Sequence, residues 1–308
     1  RPEYLPVLIA AVEAFLDPHS DSEHLQADSA SAFPVIIVNG PIAKDIRLNS
    51  TFGCLGPDPQ RPAGASIGRA LRLMQQNLGG ALPGVGAMAI YGAMRFTNVV
   101  FAQNDDDLPA GWQPHNTERH GYAPGTNSVS LFFATGVTNI RRRGVGKETP
   151  EQDALEGMHR MADYMRSPNL GSLAGYEKGT PGMLMIPPVV AQAMAKVGWT
   201  QQSMREFLWE HSKIPHAQLE RNGGTAWIRI NPNPLVRKSI ELDPWPMSAT
   251  PDNIILMVAG GGHPTNSYWL EGYSPGVVGR VIRAPETFDQ LLKEAEDDLG
   301  CGAEACMI

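Results

Sequence analysis

The side chains best suited to chemistry in this sequence stand beside glycines. Cys54 closes the run Asn49-Ser50-Thr51-Phe52-Gly53-Cys54. A thiol held there serves as a nucleophile or redox group if a positive neighbour lowers its pKa; otherwise it is a small packed side chain. His115 and His120 flank Asn116-Thr117-Glu118-Arg119. They offer a general base or, with carboxylate ligands, part of a metal site. His263 directly follows Gly260, Gly261 and Gly262, and Asp105, Asp106 and Asp107 are consecutive. That acidic run fits either a divalent cation or a solvated turn. Cys54, His115 and Asn49 form the candidate catalytic set.

Substrate contacts are expected from Asn39, Gly40 and Ser50, with Gly260, Gly261 and His263 closing the same cleft. Ser66 reads as a helix N-cap with Arg69 in the first turn. A cation there is electrostatically misplaced unless an anion is nearby, on a substrate or on a structural Asp or Glu. Cys301 and Cys306 lie in the tail, spaced Cys-Gly-Ala-Glu-Ala-Cys. They read as a redox pair, half of a metal site or tail thiols with no catalytic role. Neither GxGxxG nor GxxxxGK[ST] stands at a strand–helix junction, which weakens a nucleotide-binding reading.

Positioning these groups requires elements that the hydrophobic pattern supplies. Residues 4–16 read as a helix, 35–38 as a buried strand, and a helix follows Ser66 with Ile67, Leu71, Met74 and Leu78 on its apolar stripe. Strand-like runs recur at 97–102, 128–134, 182–186, 226–230, 254–259 and 277–282, and helical periods at 151–165, 188–196, 201–211 and 285–299. Interleaved strands and helices predict an α/β fold: a layered mixed or mostly parallel sheet flanked by helices, with long Gly/Pro-rich loops. The chain is expected to form a single compact domain over 1–308, with a weak sub-boundary near 141–150 and no internal repeat. In such folds ligands gather beyond the carboxyl ends of strands, so the loops after 35–38, 97–102 and 254–259 are expected to converge.

Composition narrows the partners. The 308 residues carry a formal net charge of -7, against the basic face that a phosphate backbone requires. The densest basic cluster, Arg141, Arg142 and Arg143 followed by Lys147, fits a solvated loop or an anionic group of a substrate. No run approaches the roughly 18 apolar residues of a membrane helix. The apolar opening run is interrupted by Glu13 and lacks a basic leader. Three cysteines are too few for a secreted disulfide scaffold, so a cytoplasmic protein is expected, with no nucleic-acid or membrane partner.

Several blocks carry a resemblance to a known family: Val38-Asn39-Gly40-Pro41-Ile42, Leu48-Asn49-Ser50, Leu55-Gly56-Pro57, Ala65-Ser66-Ile67-Gly68-Arg69-Ala70-Leu71, Asn77-Leu78-Gly79-Gly80, Trp112-Gln113-Pro114-His115, Phe207-Leu208-Trp209-Glu210-His211 and Val258-Ala259-Gly260-Gly261. Over most of residues 34–275 the chain resembles the bacterial UGSC family, whose larger members carry a Sec/Cys-Gly-Ser-Cys motif. That motif is absent here, and Gly56-Pro57 continues as Asp58-Pro59-Gln60-Arg61 where the family pattern has Gly-Pro-Gly followed by Arg-Ala-Asn-Ala-Thr. The resemblance implies an enzyme-like domain working beside a thiol- or selenol-bearing partner, and supplies no catalytic residue.

The resulting expectation is an enzyme acting on a small anionic organic molecule by thiol-assisted cleavage or reduction, a lyase or oxidoreductase. It needs no cofactor and forms a homo-oligomer or pairs with a thiol-bearing subunit. Two alternatives stand beside it: a divalent-metal hydrolase or lyase using His and Asp ligands, and a non-catalytic subunit supporting a redox partner.

Overall fold

The computed structural model describes residues 1–141, 149–167, 173–262 and 266–299. Arg142, Arg143, Lys147, His263, Cys301 and Cys306 lie outside the described residues.

A seven-stranded mixed sheet flanked by helices organises the chain. Its strands are β1 (Phe33–Asn39), β2 (Val99–Ala102), β3 (Ser128–Ile140), β4 (Thr180–Ile186), β5 (Ile255–Val258), β6 (Ser267–Ser274) and β7 (Val278–Val281), in the order β2-β1-β3-β6-β4-β5, with β7 also on β3. Among the described residues β1 pairs parallel with β2 and β4 with β5, while the other pairings are antiparallel.

This pairing contains a topological repeat with no counterpart in the sequence. β1 lies between a parallel β2 and an antiparallel β3, and β4 lies between a parallel β5 and an antiparallel β6. The closing bonds also correspond: Gln103 N–H donates to Val38 O at 3.1 Å, and Ala259 N–H to Ile186 O at 3.1 Å. Because β3 and β6 join the halves antiparallel, β1 and β2 run opposite to β4 and β5. Their carboxyl ends therefore point to opposite ends of the sheet.

The two outermost strands nevertheless meet, because Asn104 N–H donates to Val258 O at 3.0 Å. The sheet is curled, and its inner face gathers Val35, Ile37, Phe101, Phe132, Met183, Met185, Met257 and Leu270 into one cluster. On the outer face, Ile36 and Val38 pack with Val7, Ala11 and Phe15 of the helix Leu5–Phe15. Leu184, Ile186, Leu256 and Val258 pack with Met158, Met204 and Leu208 from two other helices. β1 is buried throughout because both of its faces are covered. Each such aliphatic side chain contributes about 1.5–3 kcal/mol relative to exposure.

Three expectations need correction. The helix after the first long loop starts at Ala63, not at Ser66, and runs Ala63–Asn77. Ser66 N–H donates to Pro62 O at 2.9 Å, so Ser66 already sits inside the helix and Arg69 lies beyond its first turn. The buried stripe carries Ile67, Gly68, Leu71, Arg72 and Gln75, leaving Leu78 exposed. The reason is close packing on β2. A Cβ at Gly64 would stand 2.5 Å from Val100 O, and one at Gly68 2.3 Å from Thr97 O, so these glycines fix which face turns inward.

The run 226–230 forms the helix Gly224–Ile230, not a strand. An apolar run this short has no decisive period, and Thr225 and Ile228 bury at helical spacing. Conversely, β6 is central to the sheet but was not anticipated. Glu271 and Gly272 break its apolar pattern, and Gly272 is required where a Cβ would stand 2.5 Å from Thr180 O.

Candidate functional site

The loop after β1 folds back around the side chain of Asn49. Its Oδ1 accepts from Thr51 N–H at 2.8 Å and Arg61 Nη1 at 2.9 Å. Its Nδ2 donates to Phe52 O at 2.7 Å and Asp58 Oδ2 at 3.0 Å. With both amide hydrogens and the carbonyl engaged, Asn49 organises the loop. Gly260 N–H donates to Ser50 O at 2.8 Å, and a Cβ at Gly261 would stand 2.2 Å from the Phe52 ring. Asn49, Ser50, Cys54, Gly260 and Gly261 are thus brought together by the curl of the sheet, although β1 and β5 are not neighbours.

Cys54 lines a largely apolar cavity of about 490 Å3, with Phe52, Met94, Met185 and Tyr268 among its walls. The thiol is buried, and burial pushes its pKa up to about 12 against the weaker opposing pull of the Cys54 and Leu55 backbone N–H groups. An activated nucleophile requires the reverse shift. Iodoacetamide at pH 8 is therefore expected to leave Cys54 unmodified in the folded chain and to alkylate it in urea, as read by peptide mapping. Rapid labelling of the folded chain at Cys54 would restore the thiol mechanism.

A second polar system starts at Asn39. Its Nδ2 donates to Gln103 Oε1 at 2.6 Å and to Asp105 Oδ1 at 2.9 Å, while Gly40 N–H donates to Asp105 Oδ2 at 3.1 Å. Gly40 has φ +92°, and a Cβ there would stand 2.6 Å from Asn127 Oδ1, so glycine is required. Burial raises the Asp105 pKa, and the Gly40 and Asn39 hydrogen bonds oppose the shift. Gln103 Oε1 also accepts from His115 N–H at 2.7 Å, which fixes the start of the short helix His115–His120.

This helix delivers His115, Glu118 and Arg119 to a cavity of about 630 Å3, completed by Lys178, Gln202, Arg205, Asp252 and the amino end of β5. The Cys54 cavity takes the carboxyl ends of β4 and β5, Met185 and Ala259, so the two lie at opposite ends of these strands. The structure therefore does not bring Cys54 and His115 into one cavity. Ser66 and Arg69 line neither of them.

The His115 cavity is lined by three cations, Arg119, Lys178 and Arg205, against two carboxylates, Glu118 and Asp252. His115 is 3% exposed. Its pKa is held well below 6.5 by burial first, and then by His120, Arg119 and Arg205. Arg119 donates to three carbonyl oxygens: Asp252 O at 2.9 Å, Lys178 O at 3.2 Å and Gly179 O at 3.0 Å. Arg205, 6% exposed, pairs with Glu118 through Nη2. Its Nε and the Nε2 of His115 are buried with no hydrogen-bond partner among the described residues. Leaving such groups unmade costs about 1–3 kcal/mol each, more when charged. Next to them His120, whose Nε2 contacts Ser130 Oγ at 2.9 Å, has its pKa lowered to about 4 by burial, Arg119 and Arg280.

Arg205 and Arg119 were missing from the expected site. For Arg205 the signal was present: Gln201, Met204, Arg205 and Leu208 form the buried stripe of Gln201–His211, and an arginine on such a stripe requires a partner. Among the described residues no group of three or more His, Cys, Asp and Glu could hold a metal ion, and no helix is long and apolar enough to cross a membrane. No protein-family model, curated protein or solved structure matches the chain.

Proposed function

We propose that this chain is an enzyme that binds a small organic carboxylate in the His115–Arg205 cavity and transfers the proton on the carbon beside the carboxyl group to His115, the C–H electron pair passing into the adjacent carbonyl as an enolate. The observation that carries this reading is that His115 and Arg205, which line one cavity with the cations Arg119 and Lys178, each keep a buried nitrogen, Nε2 and Nε, without a hydrogen-bond partner among the described residues. Arg205 holds the carboxylate, and neutral His115 accepts the proton. The negative charge of the guest offsets the cations that depress His115, so the imidazole gains proton affinity when the substrate arrives. Cys54 takes no part, because its thiol lies in the other cavity with a raised pKa.

The test is exchange of the substrate α-proton in D2O, followed by NMR over a panel of small 2-oxo and 2-hydroxy acids. His115→Asn is expected to slow exchange by at least about 100-fold, the lower end for a general base. Exchange at the wild-type rate in that variant, or no exchange with any acid, sinks the proposal.

A second reading, a subunit that docks onto a partner, draws on the exposed apolar chain between Ala63–Asn77 and β2. There Leu78, Val85 and Tyr91 are 84%, 85% and 89% exposed. Light scattering separates the two readings: a chain that is monomeric, catalytic and alone in solution needs no such partner.

A further inference from the structure

A third cavity, of about 510 Å3, lies on the other side of the Glu118–Arg205 ion pair. It shares Glu118, Gln202 and Arg205 with the His115 cavity, so the two adjoin at these side chains. Its remaining lining is different in kind. Trp112 and Trp199 supply two indoles, and Gly111 and Gly198 supply side-chain-free backbone. Both glycines have positive φ, +85° and +92°, and a Cβ on either would meet no atom within 4 Å, so open space adjoins them. Trp199 is held edge-on against Phe207 at 5.3 Å between centroids, and Trp112 is buried at 8% exposure. Fixed indoles beside bare backbone suit a flat apolar ring, and the guanidinium at the partition suits an acid attached to it.

We propose that the two cavities form one binding site for an aryl-substituted carboxylate, with its acid group at Arg205 and its ring between Trp112 and Trp199. This rests on the reading of the His115–Arg205 cavity as a carboxylate site and deepens it by naming the substrate class. The occupant follows from complementarity. The carboxylate answers the Arg205 guanidinium, which lines both cavities, and the ring buries against the indoles instead of water. A plain short-chain acid fills only the first cavity and leaves the second unused.

Calorimetric titration of the full chain with propionate and with 3-phenylpropionate tests the proposal. Ring burial is expected to make 3-phenylpropionate bind at least about 30-fold more tightly than propionate. In Trp199→Ala that ratio is expected to fall below about 3, and in Trp199→Phe to be largely retained. Thermal melts of the variants check that each is folded, and if the Ala variant is not, Trp199→Gln, which removes the ring but keeps a side chain of some length, carries the comparison with the same expected fall in the ratio. Equal binding of the two acids to the wild type overturns the aryl assignment and leaves the carboxylate site standing. A tight phenylpropionate complex indifferent to Trp199 also overturns it, because the ring then lies elsewhere. No binding of either acid overturns both readings.

Discussion

Replacing Arg205 by Met is expected to weaken carboxylate binding by at least about 100-fold. Two terms add in the same direction. The variant loses the guanidinium that receives the acid, and it leaves the Glu118 carboxylate in the cavity wall without its ion-pair partner. Truncating one member of a buried, hydrogen-bonded charge pair costs about 2–5 kcal/mol, and the lower end, roughly 30-fold in affinity, applies to this pair because the Glu118 side chain is 26% exposed; the loss of the guest's own cation adds to it. The neighbouring variant Glu118→Gln has the opposite sign. It removes the competing carboxylate, frees Arg205 for the guest, and is expected to tighten carboxylate binding. Combining the two changes should recover part of the loss, because the stranded charge is gone. Calorimetry on the four proteins completes the cycle. Wild-type affinity in Arg205→Met would show that the anion is held elsewhere, and weaker binding in Glu118→Gln would show that Glu118 supports the guest.

The legible parts of this molecule were those where side-chain pattern and position agree. β1 was readable because Val35, Ile36, Ile37 and Val38 are buried on both faces, which leaves a continuous apolar run ended by Asn39-Gly40. The meeting of the first loop with Gly260 and Gly261 was also anticipated, but for a reason that does not hold. The strands concerned are not parallel neighbours, and the loops meet because the sheet curls until Asn104 reaches Val258. Curl and strand direction arise from non-local pairing, which no local pattern encodes. β6 was hidden for the same reason. Its Glu271 and Gly272 are tolerated by cross-strand neighbours such as Thr180, not by an alternation of their own.

Within the site, His115 was readable as a chemically able residue, and its full burial was not. The sequence around it is polar, and it is buried by Gln103 at the end of β2 and by Arg119 stapled to Lys178, Gly179 and Asp252. Cys54 shows the converse. Flanking glycines suggest access for a ligand, whereas the loop closes on Asn49 and the buried thiol belongs to the same apolar cluster as Phe33, Val35 and Phe101. A glycine next to a reactive side chain indicates a tight turn, and the turn decides whether the group faces a guest or the core.

Two imidazoles with lowered pKa make the fold sensitive to mild acid, with a sign fixed by linkage. Above pH 6.5 His115 and His120 are neutral in both the folded and the unfolded chain, so stability is complete. As pH falls below 6.5 the unfolded chain takes up protons that the folded chain refuses, and stability is lost. For His120, lowered to about 4 by burial and by the facing Arg119 and Arg280, the loss is complete near that pH and amounts to about 3 kcal/mol. His115 acts in the same direction, whereas Asp105, with a raised pKa, offsets part of the loss below neutrality. Urea midpoints measured from pH 7.5 to 4.5 for the wild type and for His120→Gln, which retains a hydrogen-bonding group near Ser130, isolate the effect. The wild type should fall more steeply than the variant across this window, and parallel curves would mean that His120 titrates normally. The same linkage ties stability to the ligand. A bound carboxylate favours the charged form of His115, so affinity for it should rise as pH falls below 7 while the chain stays folded. Affinity independent of pH over that interval would separate the imidazole from the anion and with it the proton acceptor from the binding site.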